Sequence, residues 1–164
     1  MIVPQNYAKL RQETNLSSVS LGHIRVHLFK VEELDKAQLG YSIDLNGNSL
    51  VDGENESWKD YWLVIGSEDC CGDPIFIDCT NEKYPVFTAM QGEDEWDETL
   101  IADTFESFIK TLECIQNISK DRENPVKLEN NPITSNENDR VLKDIRKYNI
   151  KADLFFWKNW LAQE

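Results

Sequence analysis

Three apolar runs of strand length, only a few residues apart, constrain this chain more than anything else in it. They are DYWLVIGS (60–67), PIFIDC (74–79) and YPVFTAM (84–90). Runs of this kind bounded by turn residues read as strands, and the short loops between them point to a three-stranded antiparallel meander. Upstream, HIRVHLF (23–29) alternates: Ile24, Val26 and Leu28 share one face, and His23, Arg25, His27 and Phe29 share the other, as in a half-buried strand. Downstream, Leu100, Ile101, Phe105, Phe108, Ile109, Leu112 and Ile115 recur at spacings of three and four, which predicts a helix that packs its stripe on the sheet. Asp97, Glu98, Asp103 and Glu106 lie toward the N-terminal half of that helix, where its dipole favours acids.

The remaining segments are read more coarsely. Pro4 to Thr14 forms a short polar helix, with Pro4 suited to its first turn. Val31, Leu34 and Leu39 lie on one face of a second helix that Gly40 stops, and Tyr41 to Lys59 is a turn-rich loop. QGEDEWDETLIAD (91–103) is an acidic connection into the long helix, and the polar stretch 119–138, with two prolines, reads as a linker. Residues 139–164 return to helical spacing at Val141, Ile145 and Tyr148 and end in an aromatic helix. A chain of 164 residues suits one domain and can bury a core without disulfide or metal staples.

Charge narrows the partners. Lys and Arg total 17 against 30 Asp and Glu, a net charge of −13. Such a chain repels phosphate backbones and anionic membranes, so neither nucleic acid nor membrane is expected as a partner; the field steers it toward a basic one. The start, MIVPQNYAKLRQ, lacks the basic and apolar regions of a signal peptide, and no apolar run approaches a bilayer span. Four cysteines in that setting read as reduced thiols in the cytoplasm.

Cys70, Cys71 and Cys79 with His23 or His27 do not form a zinc set, because adjacent cysteines diverge and no C-x-x-C pair occurs. Glu68, Asp69 and Asp73 surround the paired cysteines with negative charge, which raises a thiol pKa and opposes nucleophilic use. DLNGNSLVDGEN (44–55) offers Asp44, Asn46 and Asn48 but has Ser49 and Asn55 where an EF-hand needs Gly and Glu, so it reads as a solvated turn. The consecutive acids Glu93, Asp94, Glu95, Asp97 and Glu98 cannot fix the separation that a carboxylate pair needs for hydrolysis. No catalytic residue, metal ligand or cofactor is therefore assigned. Trp96 among those acids has the composition of an interaction anchor, and equally of a core residue under the helix start.

The segments LVIGSEDCCGDPIFIDC, PVFTAMQGEDEW and LIADTFESFI together resemble the SUKH superfamily, bacterial toxin-immunity proteins related to a fungal cell-wall synthesis regulator. The pattern is a strand ending in Ile65-Gly66, a turn over Ser67 to Asp73, a strand ending in Asp78, a third strand Val86 to Met90, then Ala102-x-Thr104-Phe105-x-x-Phe108. IRVHLFKVEEL adds the family's strand-to-helix start, so the best match lies within 24–115. Cys70 and Cys71 stand where the family turn is often glycine, leaving Gly72 as the residue free of a positive-φ penalty. The resemblance implies an α+β fold, a twisted and mostly antiparallel sheet with helices packed around it. It also implies a non-enzymatic, cytoplasmic binding protein that neutralises a cognate toxin. Charge complementarity makes that toxin a basic one, such as a nuclease. A regulatory scaffold without a toxin is the alternative. The contact residues expected are Glu68, Asp69, Asp73, Glu93, Asp94, Glu95, Trp96, Asp97 and Glu98. The C-terminal LFFWKNWL either closes the core or forms a homodimer surface.

Overall fold

Neighbours in sequence are neighbours in the sheet. The computed structural model describes residues 3–51, 58–91 and 96–162. Its strands are β1 (Ser18–Leu21), β2 (Ile24–Leu28), β3 (Trp62–Glu68), β4 (Pro74–Asp78), β5 (Val86–Gln91) and β6 (Trp96–Ala102). They lie side by side in that order, every pair antiparallel, with β1 and β6 as the two edges. The helices are α1 (Gln5–Glu13), α2 (Leu34–Ala37), α3 (Phe105–Ser119), α4 (Pro125–Asn130), α5 (Ser135–Tyr148) and α6 (Phe155–Ala162). This is the α+β arrangement, an antiparallel sheet with helices packed around it, that the family resemblance implies.

Both faces of the sheet centre are covered. Leu63, Ile65, Ile75, Ile77 and Ile101 join one core with Tyr7, Phe108, Leu112, Ile145, Trp157 and Trp160 from the helices. The alternate residues Trp62, Val64, Phe76 and Ala89 form a second cluster with Trp58, and Tyr41 and Trp96 pack at its margin. Burial on both sides explains why β3 and β4 read as continuous apolar runs rather than as alternation.

Close approach of β2 sets a demand on β3. The register slips between Val64 and Gly66, leaving Ile65 as a bulge, and Gly66 then sits opposite Leu28. A Cβ at Gly66 would lie 2.3 Å from the carbonyl oxygen of His27. Where β2 ends, a side chain takes over: the Gln38 amide donates to the Val64 carbonyl at 3.0 Å and accepts the Val64 N–H at 3.1 Å. One buried glutamine thus satisfies the backbone of β3 as a neighbouring strand would.

Four segments differ from their sequence reading. Leu100 and Ile101 belong to β6, not to the helix, because Thr104 is an extended N-cap that accepts the Ser107 N–H and restarts the chain there. β1 was not anticipated; Ser18–Leu21 is too short and polar to stand out, yet Val19 and Leu21 are buried. The expected helix after Lys30 is a 3₁₀ turn, Val31–Glu33, followed by four residues of α2, and Leu39 is exposed instead of continuing its stripe. The stretch 119–138 is not a linker: it carries α4, capped by Asn124 with Pro125 at the first turn, and the start of α5, capped by Thr134.

A buried arginine explains why that polar stretch is ordered. Arg122 donates to the carbonyls of Ile118, Asn131 and Pro132 and pairs with both carboxylate oxygens of Glu137, at 3.0 and 3.2 Å. The N–H of Thr134, then the Arg122 guanidinium and the Thr134 hydroxyl, hold the Glu137 carboxyl down at about 2. The aromatic C-terminus closes the core, with Trp157 and Trp160 fully buried and Phe155 left exposed.

Two outcomes are expected. Gly66→Ala drives a methyl into backbone that cannot swing aside, and costs about 3 kcal/mol in a denaturant-unfolding comparison. A carboxyl whose pKa is lowered by folding stabilises above its ordinary value and loses that contribution as pH falls through the folded value. The stability gap between the native chain and Glu137→Gln should therefore narrow as pH is lowered from 4.5 toward 2. A gap constant over that range, in melts at stepped pH, would show that Arg122 does not depend on the charge.

Candidate interaction surface

The turn between β3 and β4 is closed from within. The Glu68 N–H donates to the Asp73 carbonyl at 2.9 Å, and the Gly72 N–H to the Glu68 carbonyl at 3.0 Å. Gly72 has φ +79°, so it is the residue that takes the left-handed conformation; Cys70 and Cys71 do not. Glu68, expected to face a partner, is instead turned into the loop: it is 5% exposed, and its carboxylate accepts the N–H groups of Cys70 and Cys71. Asp69 is exposed and lies 3.9 Å from Arg25, while Asp73 is half-buried, with its carboxyl pushed up by burial.

Neither thiol chemistry nor metal chemistry gains from this turn. The Cys71 thiol is raised by Cys70 and Glu68 beside it, and burial pushes Cys79 up to about 11. Glu68, Cys71 and Asp73 bring ligand atoms within 4.8 Å of one another. That is a three-donor set whose best-buried member already satisfies two backbone N–H groups, short of the four ligands of structural zinc. The Asp44 loop closes on itself as well, since Asp44 accepts the N–H groups of Asn46 and Asn48, each at 2.8 Å.

The second acidic segment falls on β6. Glu93, Asp94 and Glu95 lie outside the described residues; Trp96, Asp97 and Glu98 begin the strand. Its register with β5 pairs Gln91 with Trp96, Met90 with Asp97 and Ala89 with Glu98. Because side chains alternate, Trp96 and Glu98 point to the aromatic side of the sheet, and Asp97 to the other. Trp96 is half-buried, its ring 5.2 Å from Trp58 and 5.5 Å from Tyr41. It is therefore part of the second cluster and also reaches the surface. Asp97 and Glu98 are exposed, and Met90, opposite Asp97, is 64% exposed. The structure thus brings Trp96, Asp97 and Glu98 together, and sets Asp69 and Asp73 on the other hairpin turn.

What lies beside β6 decides how much of its edge is free. The Asp153 N–H donates to the Leu100 carbonyl at 2.9 Å, and the Trp157 indole to the Ile101 carbonyl at 2.7 Å. Just beyond the strand, the Asp103 carboxylate accepts the N–H groups of Ile150, Lys151 and Ala152 at 2.8 to 3.1 Å. The Asp103 N–H is taken by Asn149, whose side chain is fully buried and also bonds Thr111 and the Ile145 carbonyl. The C-terminal half of β6 is covered in this way and the Trp96–Thr99 half is open among the described residues. Sequence reasoning treated Asp103 as one more acid near a helix start; only the distant partner at 149–152 reveals its task.

The family model described as SMI1 / KNR4 family (SUKH-1) matches residues 3–111, well over half of the chain. No curated protein and no solved structure matches it significantly. Among the described residues, no helix is long and apolar enough to cross a membrane.

Removing the carboxylate that gathers the 150–152 amides should be costly. Asp103→Ala leaves the part-buried Ala152 N–H and the exposed N–H groups of Ile150 and Lys151 without it, and is expected to lower stability by about 1–2 kcal/mol. Faster amide exchange confined to 149–154 and β6 would accompany the loss. A chain as stable as the native one would mean that the clamp is not needed.

Proposed function

The chain belongs to the SMI1 / KNR4 family (SUKH-1), which gathers immunity proteins and related regulators, and from that premise we propose that it neutralises one cognate toxin by direct contact. The toxin is a basic enzyme domain of the nuclease type, and the meeting takes place in the cytoplasm. The chain performs no chemistry of its own: it supplies a surface that occupies the toxin's phosphate-binding groove.

The observation that carries this reading is the exposed pair Asp97 and Glu98 beside the half-buried Trp96, at the open end of an edge strand. An aromatic anchor held in place by its neighbours contributes contact area, and carboxylates at its rim steer a cationic partner. A net charge of −13 extends that steering beyond the contact itself. A nuclease needs a cationic groove to hold phosphates, so an acidic surface is complementary to it. Asp69 and Asp73 belong to the proposed rim; Glu68 serves the turn from the inside.

The test is capture of the product of the neighbouring gene, followed by titration at several salt concentrations. Changing Glu93, Asp94, Glu95, Asp97 and Glu98 together to neutral residues should weaken the complex and flatten its salt dependence, while leaving the unfolding midpoint nearly unchanged. Unaltered affinity and salt slope would remove the acidic surface from the interface.

A further inference from the structure

The phase of β6 says more about how a partner is held. The Leu100 carbonyl points away from β5, because Asp153 meets it from outside the sheet. Backbone polar groups alternate sides along an antiparallel strand, and the register runs unbroken from Phe87–Leu100 to Gln91–Trp96. The N–H and C=O of Glu98 therefore also face outward, as do those of Trp96. The neighbouring pair of strands gives the same phase, since the Asp78 N–H donates to the Pro85 carbonyl and Phe76 pairs with Phe87. Among the described residues nothing hydrogen-bonds the outward groups of Glu98.

We propose that the Trp96–Thr99 half of β6 takes up one extended segment of the partner as a seventh strand, with lysine or arginine opposite Asp97 and Glu98. This deepens the reading of the chain as a binder of a basic protein and rests on it. Asp97 and Glu98 point to opposite faces, so an added strand meets one carboxylate on each face. Two consecutive basic residues, which also point to opposite faces, match both. On the aromatic side the next residue along lies beside Trp96, which favours an apolar side chain there. Where the 149–154 segment begins to cover the edge, the added strand must stop. A second copy of this chain is the poorer occupant, because antiparallel self-pairing at this edge sets Asp97 and Glu98 against the same carboxylates.

The probe is acetyl-Thr-Val-Thr-Lys-Lys-Val-Thr-Val-amide, titrated into the full chain at low salt with amide exchange followed by NMR. The Glu98 amide is expected to exchange at least about tenfold more slowly at saturation, the size of one net backbone hydrogen bond. The same peptide with alternate nitrogens methylated keeps its charge, and in one of the two phases should bind about tenfold more weakly for the same reason. Glu98→Pro removes the outward donor without touching the ladder to β5 and should weaken peptide binding about tenfold, whereas Glu98→Gln, which keeps that N–H, should lower affinity only modestly. Equal binding by both methylated peptides, or protection spread over the acidic surface, overturns strand addition. So does a Glu98 amide already protected in the free chain in step with dimer formation by sedimentation. If the neighbouring gene's product binds with β6 unprotected, strand addition fails and the immunity reading stands. If the peptide adds to β6 but that product does not bind, the immunity reading fails and the edge site stands.

Discussion

One carboxylate holds the two halves of this molecule together. Asp103 lies where β6 ends and α3 begins, and it gathers the N–H groups of Ile150, Lys151 and Ala152. Its own N–H goes to Asn149, which is fully buried and reaches on to Thr111 in α3. Sheet, long helix and C-terminal segment thus meet at a few polar bonds that run from the surface at Ile150 and Lys151 to the buried Asn149–Thr111 pair, where leaving a partner unmet is expensive. From this junction follows the position of α6, whose Trp157 bonds the Ile101 carbonyl and whose Trp160 fills the core. From it also follows the division of β6 into a covered half and an open half.

The alternation of β3 and β4 divides their apolar side chains between two cores. Leu63, Ile65, Ile75 and Ile77 meet the helices, while Trp62, Val64 and Phe76 meet Trp58 and Tyr41. Trp96 belongs to the second group at its rim, so its orientation is set by packing before any partner arrives. An aromatic side chain fixed in this manner has little rotamer freedom left to lose.

Much of the fold was legible because it rests on local pattern. The runs at 60–67, 74–79 and 84–90 became β3, β4 and β5, and the stripe Phe105, Phe108, Leu112 and Ile115 became the buried side of α3. What stayed hidden depends on partners far away in the chain. Leu100 and Ile101 fit helical spacing equally well, and the strand prevails because β5 lies alongside and Thr104 caps the helix after them. The 119–138 segment is polar in composition, yet Arg122 turns those polar atoms inward onto one guanidinium. For the candidate surface, the acids at 97 and 98 were visible as composition. That Glu68 would be consumed by its own turn was not, since nothing in the spelling of SEDCCGD distinguishes a carboxylate facing out from one facing in.

Gln38 carries a consequence for how such a chain can diversify. Its side-chain amide occupies the place beside Val64 that a strand would otherwise fill, and it reaches there from α2, which is anchored by the fully buried Leu34. The chain just beyond Gly40 is thereby released from any duty to pair with Val64. Exchanges of sequence between Ile43 and Val51 leave both Gln38 hydrogen bonds to Val64 in place. A scaffold whose 43–50 stretch carries no bond to the sheet, and whose β6 edge is half open, both among the described residues, can acquire new surface while Tyr41 and Trp58 keep the aromatic cluster in place.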